Sequence, residues 1–228
     1  MISLVGGLRR RQRISFKPAA GGASAPAFRS ISQGSSSSLG GFTMAVPTGT
    51  STGDQLLMFV EVEGDAKGYT FGAPSAGWTQ IAFNDTFRVE YPTNTFAVYK
   101  RTATASESTY SWSGGANWYS GMGFVMAVSG ATDVDVVGAT AGGAGGFIAP
   151  SVTTTTSTDL LIYAAGQAGS GVSVTKPASM TQRANATPPV AHFRMLIATE
   201  TLTASGATDT RTATGDSTRN VSLLIAVK

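Results

Sequence analysis

The chain of 228 residues contains no cysteine and a single histidine. The lack of cysteine excludes disulfides and thiolate ligands, and one imidazole cannot build a structural zinc site. The one histidine, His192, stands at the start of a predicted strand. No Gly-x-Ser-x-Gly motif or other nucleophile pattern accompanies it, so we interpret it as a structural residue. We therefore expect no cofactor, no metal and no catalytic activity.

Long apolar runs are also missing from the sequence. No segment approaches the roughly 18 apolar residues of a membrane-spanning helix. The short apolar run from Ile2 to Leu8 precedes the arginines, whereas an export signal has its positive charges first. We therefore expect a protein made in the cytoplasm, without a signal peptide and without a membrane partner.

Acidic side chains are absent from the first 53 residues, which carry six basic ones. The remaining residues carry ten lysines and arginines against thirteen acids, a net charge of −3, so the pI of about 9.3 comes from the N-terminal part. Such a segment favours a polyanion or an acidic protein surface, through an attraction that salt screens. The alternative is a solvated tail whose arginines only aid solubility.

Residues 1–41 form an extended, basic, Gly/Ser-rich arm in this interpretation. Its last part, residues 33–41, has almost no side chains that could pack, which predicts a flexible linker or a segment that orders only against a partner. Apolar residues along the arm have the spacing of anchors. The candidate assembly residues are Arg9, Arg10, Arg11, Arg13, Phe16, Lys17, Phe28 and Arg29.

From Phe42 onwards the sequence alternates short apolar runs with turn signals. The runs are rich in β-branched and aromatic residues, and helical periodicity is absent. Twelve strands between residues 42 and 227 predict an all-β fold, an antiparallel β-sandwich of the jelly-roll type.

An internal repeat runs through residues 42–228. The segment Asp54-Gln55-Leu56-Leu57-Met58-Phe59 recurs as Asp159-Leu160-Leu161-Ile162-Tyr163, and four further blocks follow in the same order about 100 residues apart. We assign the two halves to about 42–137 and 147–228. They could be two small domains or two parts of one sandwich, and we favour one sandwich because each half can then bury the apolar face of the other.

Two pairs of acids alternate along predicted strands. Glu61 and Glu63 could hold calcium if loop carbonyls joined them, but we favour a solvent-facing strand edge. We interpret Asp133 and Asp135 in the same way, as the polar face of a short strand.

Four large aromatic residues lie between Tyr110 and Tyr119. We assign Trp78 and Trp112 to the core. Asn117, Trp118 and Tyr119 form a candidate ligand loop, because exposed tryptophan and tyrosine rings stack on sugars and act as hot spots for protein partners.

The order of certain motifs resembles a group of viral proteins. Val46-Pro47-Thr48-Gly49-Thr50 leads to Gly53-Asp54-Gln55-Leu56-Leu57, and Gly77-Trp78, Tyr99-Lys100-Arg101, Tyr110-x-Trp112 and Ser129-Gly130-Ala131 follow. This pattern, over residues 42–228, resembles β-sandwich modules in the structural proteins of tailed bacteriophages and related particles. The resemblance implies head decoration, fibre or tail components, often mounted by a terminal arm. It carries over no functional residue, and residues 1–41 have no matched pattern.

We therefore expect a noncatalytic structural protein of the virion, whose partners are other virion proteins and further copies of itself. One alternative is a carbohydrate-binding adhesin or receptor-binding module that contacts a host surface glycan, and another is a glycan-cleaving enzyme. We expect no nucleic-acid partner, because the arm has few interleaved aromatic residues and the body lacks a basic platform.

Overall fold

The computed structural model describes residues 24–37, 40–64, 70–85, 93–105, 107–142, 146–168, 173–187, 193–215 and 219–228. In these ranges the chain forms nineteen strands and no helix, and all strand pairs are antiparallel. Each of the twelve strands expected from the sequence corresponds to an observed one. The prediction of an all-β fold with antiparallel sheets is confirmed.

The strands fall into two series along the chain. The first series is β1 (Ala27–Ser36), β2 (Phe42–Ala45), β3 (Gln55–Gly64), β4 (Ala73–Pro74), β5 (Thr79–Asn84), β6 (Thr93–Thr102), β7 (Thr109–Ser113) and β8 (Trp118–Ser129). The second series is β9 (Val134–Val137), β10 (Ala141–Gly142), β11 (Phe147–Ala149), β12 (Thr153–Thr154), β13 (Leu160–Ala168), β14 (Val174–Thr175), β15 (Thr181–Ala186), β16 (Phe193–Thr201), β17 (Gly206–Ala207), β18 (Arg211–Gly215) and β19 (Arg219–Val227).

Both series form a large sheet and a small sheet with the same connectivity. The large sheets have the orders β1-β8-β3-β6-β5 and β10-β19-β13-β16-β15, and β9 also pairs with β19. The small sheets have the orders β2-β7-β4 and β11-β18-β14. Each strand of the first half thus has a counterpart in the second, which agrees with the repeat read from the sequence.

Three apolar cores hold these layers together. In the first half, Phe42, Trp112 and Trp118 belong to a core between the large and small sheets. A second core occupies the same place in the second half. The third core lies between the two large sheets, where Phe59 and Phe124 meet residues of β13, β16 and β19. Each half therefore forms a sandwich of its own large and small sheets. The single sandwich favoured from the sequence corresponds to the packing of the two large sheets around the third core.

The first strand lies within the segment assigned to the arm. β1 pairs with β8 along the whole length of β1, from Ala27 opposite Ser129 to Ser36 opposite Gly121. A Cβ atom on Gly34 would lie 2.1 Å from the carbonyl oxygen of Thr43, so the small residues of β1 permit close packing on β2. The body thus begins before residue 41, and the Gly/Ser composition of this segment reflects a tight contact as well as a turn.

The boundary between the halves also differs from the predicted one. Residues 134–137, placed in the first half from the sequence, form β9 and pair with β19 of the second half. Together β9 and β10 occupy the position that β1 occupies in the first large sheet.

The two large sheets face each other about an approximate twofold axis. A Cβ atom on Gly166 of β13 would lie 2.8 Å from the Glu61 carboxylate of β3, so the central strands are opposite each other. The Arg183 guanidinium of β15 lies over the Phe28 ring of β1, and Asn84 Nδ2 of β5 donates a hydrogen bond to Thr140 Oγ1, just before β10. The β1 edge of one sheet thus faces the β15 edge of the other, and the β5 edge faces the β10 edge. Two equivalent sheets face each other in this way when their twofold axis runs parallel to β3 and β13. The two central strands therefore run in the same direction.

Candidate functional site

The body has two distinct ends because its central strands are parallel. At one end, which we call the proximal end, β1, β3 and β13 begin and β8 and β19 finish. Ser24, the first described residue, lies here, and its carbonyl oxygen is 2.6 Å from where a Cβ atom on Gly130 would stand. The opposite, distal end carries the finish of β1, β3 and β13 and the start of β8.

The predicted assembly residues are divided between two regions. Arg9, Arg10, Arg11, Arg13, Phe16 and Lys17 lie outside the described residues, as does His192. Phe28 and Arg29 lie in β1 and are engaged within the chain. The Arg183 guanidinium carbon stands 4.2 Å from the Phe28 ring centre, and Arg29 Nε lies 2.8 Å from Asp54 Oδ2. These two residues contribute to the body, and their role in an intermolecular anchor stays a prediction.

The candidate ligand loop is only partly exposed. Trp118 is 1% exposed and packs edge-on against Trp112 with 5.8 Å between ring centres, so its assignment to a contact surface is wrong. Tyr119 is 42% exposed and occupies a bulge in β8. Asn117 adopts a left-handed conformation with φ of 57° in the preceding turn. The assignment of Trp112 to the core agrees with its burial, and Trp78 packs against the same core.

Glu61 and Glu63 are buried, contrary to the expectation of a solvent-facing edge. Both point from β3 towards the core between the large sheets, with 1% and 4% exposure. Asn94 Nδ2 donates to Glu61 Oε1 at 3.2 Å, and Ser120 Oγ donates to Glu63 Oε2 at 3.0 Å. Burial, and to a lesser degree the charge of Glu63, raise the pKa of Glu61 well above its ordinary value. The alternation that suggested a polar face is real, but that face is covered by the second sheet.

The aspartates near the start of β9 behave differently from each other. Asp133 is half-exposed and pairs with Lys100 Nζ at 2.6 Å, as a surface residue does. The side chain of Asp135 is 1% exposed, which corrects the expectation of a solvent-facing position. Its carboxylate accepts hydrogen bonds from the Thr155 N–H at 2.6 Å and from Lys228 Nζ at 3.0 Å.

Asp159 lies beside Asp135 at the proximal end. Its side chain is fully buried, and neither carboxylate oxygen has a hydrogen-bond donor among the described residues. Burial and the contact with Asp135 raise the pKa of Asp159 to about 6. Burial also opposes ionisation of Asp135, but the Thr155 and Lys228 hydrogen bonds outweigh it and lower the pKa of Asp135 to about 2. No local pattern indicates this pair, because the two residues are 24 positions apart in the sequence.

A shallow groove of about 450 Å³ crosses the edge of the small sheet β2-β7-β4. Small side chains such as Thr43, Ser111 and Ser113 line it, above the buried rings of Phe42 and Trp112. No carboxylate or imidazole lines this groove among the described residues, so it offers no acid or base to a bound molecule.

Other kinds of site find little support. Among the residues described, no group of three or more His, Cys, Asp or Glu side chains is arranged to hold a metal ion. Over the same ranges, no helix combines the length and apolar character that a membrane crossing needs.

Comparison with known proteins finds no family model, no curated protein and no solved structure that matches this chain. The resemblance to phage particle proteins therefore stays a prediction from sequence motifs.

Proposed function

We propose that the chain is a noncatalytic structural protein of a phage-like particle, mounted through its basic N-terminal segment. The observation that carries the proposal is the position of Ser24 at the proximal end of the body. The acid-free segment with Arg9, Arg10, Arg11, Arg13 and Lys17 precedes this point directly in the chain. The body is thus held at one end, and its distal end faces outwards.

Charge supports an acidic protein surface as the partner of this segment. Residues 1–23 carry five positive charges and no negative one, whereas the net charge beyond residue 53 is −3. Opposite charges on neighbouring subunits would guide and orient their association, at a strength that falls with added salt. A second copy of the chain is one such surface, so self-association is part of the proposal.

Burial of the acids supports a role without catalysis. Glu61, Glu63, Asp135 and Asp159 are all nearly inaccessible to solvent. A general acid or nucleophile must touch its substrate, which these groups cannot do in this conformation. The absence of acids from the groove on the small sheet agrees with that interpretation.

The experiment is deletion of residues 1–23, followed by thermal unfolding and by co-assembly with the remaining particle proteins. We expect unchanged unfolding and lost incorporation, because the deletion removes none of the contacts described for residues 24–228. A longer deletion through residue 40 is unsuitable, since it removes β1 and the Arg29–Asp54 ion pair. Replacing Arg9, Arg10, Arg11 and Arg13 with glutamine, at constant length, should weaken incorporation in the same direction. Normal incorporation of both variants contradicts the proposal.

The exposure of Tyr119 favours a second function, binding of a host surface glycan at the distal end. A half-exposed tyrosine offers a flat apolar face with a polar edge, which suits stacking on a sugar ring. In this case Tyr119→Ala should abolish retention on host polysaccharide while the fold remains intact. Retention equal to that of the parent protein contradicts glycan binding. Trp118 is unsuitable for this test because it belongs to the core.

A further inference from the structure

Asp135 and Asp159 form a buried pair at the proximal end of the second half. Asp159 precedes Leu160, which pairs with Val227, so it lies next to Lys228, whose Nζ is 3.0 Å from Asp135 Oδ1. The two carboxyl groups thus lie beside the same lysine, and each shifts the pKa of the other. Neither is accessible to bulk water, since the Asp135 side chain is 1% exposed and Asp159 is 0% exposed. Two carboxylates so close together cannot both ionise without a large electrostatic cost.

The first half places a different residue at the position of Asp135. In β1 the bulge residue is Arg29, because its two neighbours pair with successive residues of β8. In β9 the bulge residue is Asp135, because its neighbours pair with successive residues of β19. Asp54 and Asp159 each stand directly before the central strand of their half. A guanidinium therefore neutralises Asp54, whereas its counterpart Asp159 meets a carboxyl group.

The groups that surround the pair supply charge for one carboxylate only. Lys228, which follows β19, and Thr155, which precedes β13, both contact Asp135. Asp133, just before β9, is turned towards Lys100 of β6. Lys228 also lines a cavity of about 170 Å³, together with Thr156 and Ser24, whereas neither aspartate lines it. Among the described residues, no further cation reaches Asp159.

We propose that the buried Asp135 and Asp159 share one proton in the folded chain, and that loss of this proton makes the proximal end a pH-sensitive element. With the proton bound, one carboxyl group donates to the other and the burial of both is tolerated. Without it, two negative charges face each other with Lys228 alone to compensate. β9 is joined to β19 by three residue pairs and packs Val134, Val136 and Val137 on the apolar cores. The repulsion opposes these contacts and so weakens the attachment of β9.

The sign of the pH dependence follows from the raised pKa of Asp159, about 6 against 3.8 for the free side chain. The folded chain binds this proton more tightly than the unfolded chain, so stability falls as the pH rises from about 4 to above 6. The pKa of Asp135 is lowered to about 2, so its protonation changes the stability only in more acidic solution. The two effects are therefore separated on the pH axis.

The test compares thermal unfolding of the full chain and its Asp159→Asn variant at about pH 5 and about pH 8. Asparagine keeps the shape and can donate to Asp135 without carrying charge. We expect the two proteins to melt at similar temperatures at the lower pH and the variant to melt on the order of 5 °C higher at the higher pH. Equal pH dependence of the two proteins overturns the proposal.

The matched control is Asp54→Asn in the first half. This variant removes the negative charge that pairs with Arg29, so it should lower the melting temperature near neutral pH instead of raising it. A higher melting temperature for both variants near neutral pH would show a general effect of removing acids and would overturn the specific role of the pair.

A second measurement follows the protonation itself. Carbon-13 NMR of the aspartate carboxyl groups should show one group that titrates near pH 6, and its signal should be missing from Asp159→Asn. Titration of every aspartate below about pH 4.5 overturns the proposal. Stabilisation of the parent protein, but not of Asp159→Asn, by millimolar calcium chloride near pH 8 also overturns it, because the pair would then be a cation site.

Both measurements use the isolated protein and do not depend on the proposed role in a particle. Failure of the pair to share a proton would leave the mounting proposal unaffected. Failure of the deletion of residues 1–23 to affect incorporation would likewise leave the titration result standing.

Discussion

The two halves of this protein share one strand order but fill their equivalent positions with different chemistry. The core of the first half is built from large rings, including Phe42, Trp112 and Trp118. In the second half Phe147 and Ala213 are paired on β11 and β18, where the first half pairs Phe42 and Trp112 on β2 and β7. The backbone pairing is thus the same around an indole ring and around a methyl group. The fold is set by the pattern of apolar faces, while the residue at each site decides the energetics.

The positions near the axis show the same principle. Glu61 and Gly166 are facing positions on the two central strands, and the carboxylate of the first occupies the space that a side chain of the second would need. Two identical large side chains would collide there. A duplicated chain can place unlike residues at such a point, which a dimer of identical chains cannot.

The largest expected effect is that of Trp112→Ala. The ring is 1% exposed and contacts Phe42, Phe71 and Trp118, so its loss should destabilise the protein by about 4 kcal/mol. The measurement is the free energy of unfolding in urea. The counterpart variant Ala213→Gly removes a single methyl group and should cost about 1 kcal/mol. Similar losses for the two variants would contradict the difference between the cores.

Arg29→Ala should have the next largest effect. It leaves the nearly buried Asp54 without its ion-pair partner, although the Ser51 N–H still donates to it at 2.8 Å. Because Arg29 is one-third exposed, we expect a loss of about 2 kcal/mol, less than for a fully buried pair. The measurement is urea unfolding near neutral pH. The double variant with Asp54→Asn and Arg29→Ala should lose less free energy of unfolding than the two single variants lose together. A loss equal to that sum would exclude a direct interaction.

Glu61→Gln tests the burial of an acid close to the axis. Since the pKa of Glu61 is raised by burial, the parent protein should lose stability as the pH rises through that value, and the variant should not. In mildly acidic solution both side chains are neutral and accept from Asn94, so the difference there should be below about 1 kcal/mol. Urea unfolding at two pH values measures this. A variant that is less stable than the parent protein at the higher pH would indicate that the ionised form of Glu61 stabilises the fold.

The smallest effect is expected for Tyr119→Ala. This bulge residue of β8 has no equivalent in β19, which pairs with β13 without interruption. Because the ring is 42% exposed, its removal should change the free energy of unfolding by less than about 0.5 kcal/mol. The neighbouring variant Trp118→Ala is the control and should cost several times as much. A large loss for Tyr119→Ala would contradict its description as a surface residue.

Local patterns in the sequence were sufficient for much of the fold. Short apolar runs rich in β-branched and aromatic residues, separated by turn signals, predicted the strands, since such side chains pack well on a pleated sheet. The recurrence of Asp54-Gln55-Leu56-Leu57 as Asp159-Leu160-Leu161-Ile162 predicted the duplication. The burial of Trp112 also followed from such patterns. The strands missed were β1, with its Gly/Ser composition, and several strands of two residues, which are too short to show a period.

The candidate sites could not be read in the same way. Whether Glu61 faces water or a second sheet depends on how the two halves pack, because alternation only shows that it shares a face with Phe59. Trp118 and Tyr119 are neighbours in the sequence, yet a bulge in β8 turns one ring inwards and leaves the other exposed.

By itself, the sequence determined an all-β chain with two related halves and a basic N-terminal segment, because these follow from composition and short-range periodicity. Only the tertiary structure decided that β1 belongs to the body, that Glu61 is buried against Gly166, and that Arg29 meets Asp54 while Asp135 meets Asp159. These contacts join residues from about 25 to more than 100 positions apart. Their geometry depends on strand register and sheet packing, which no local pattern encodes.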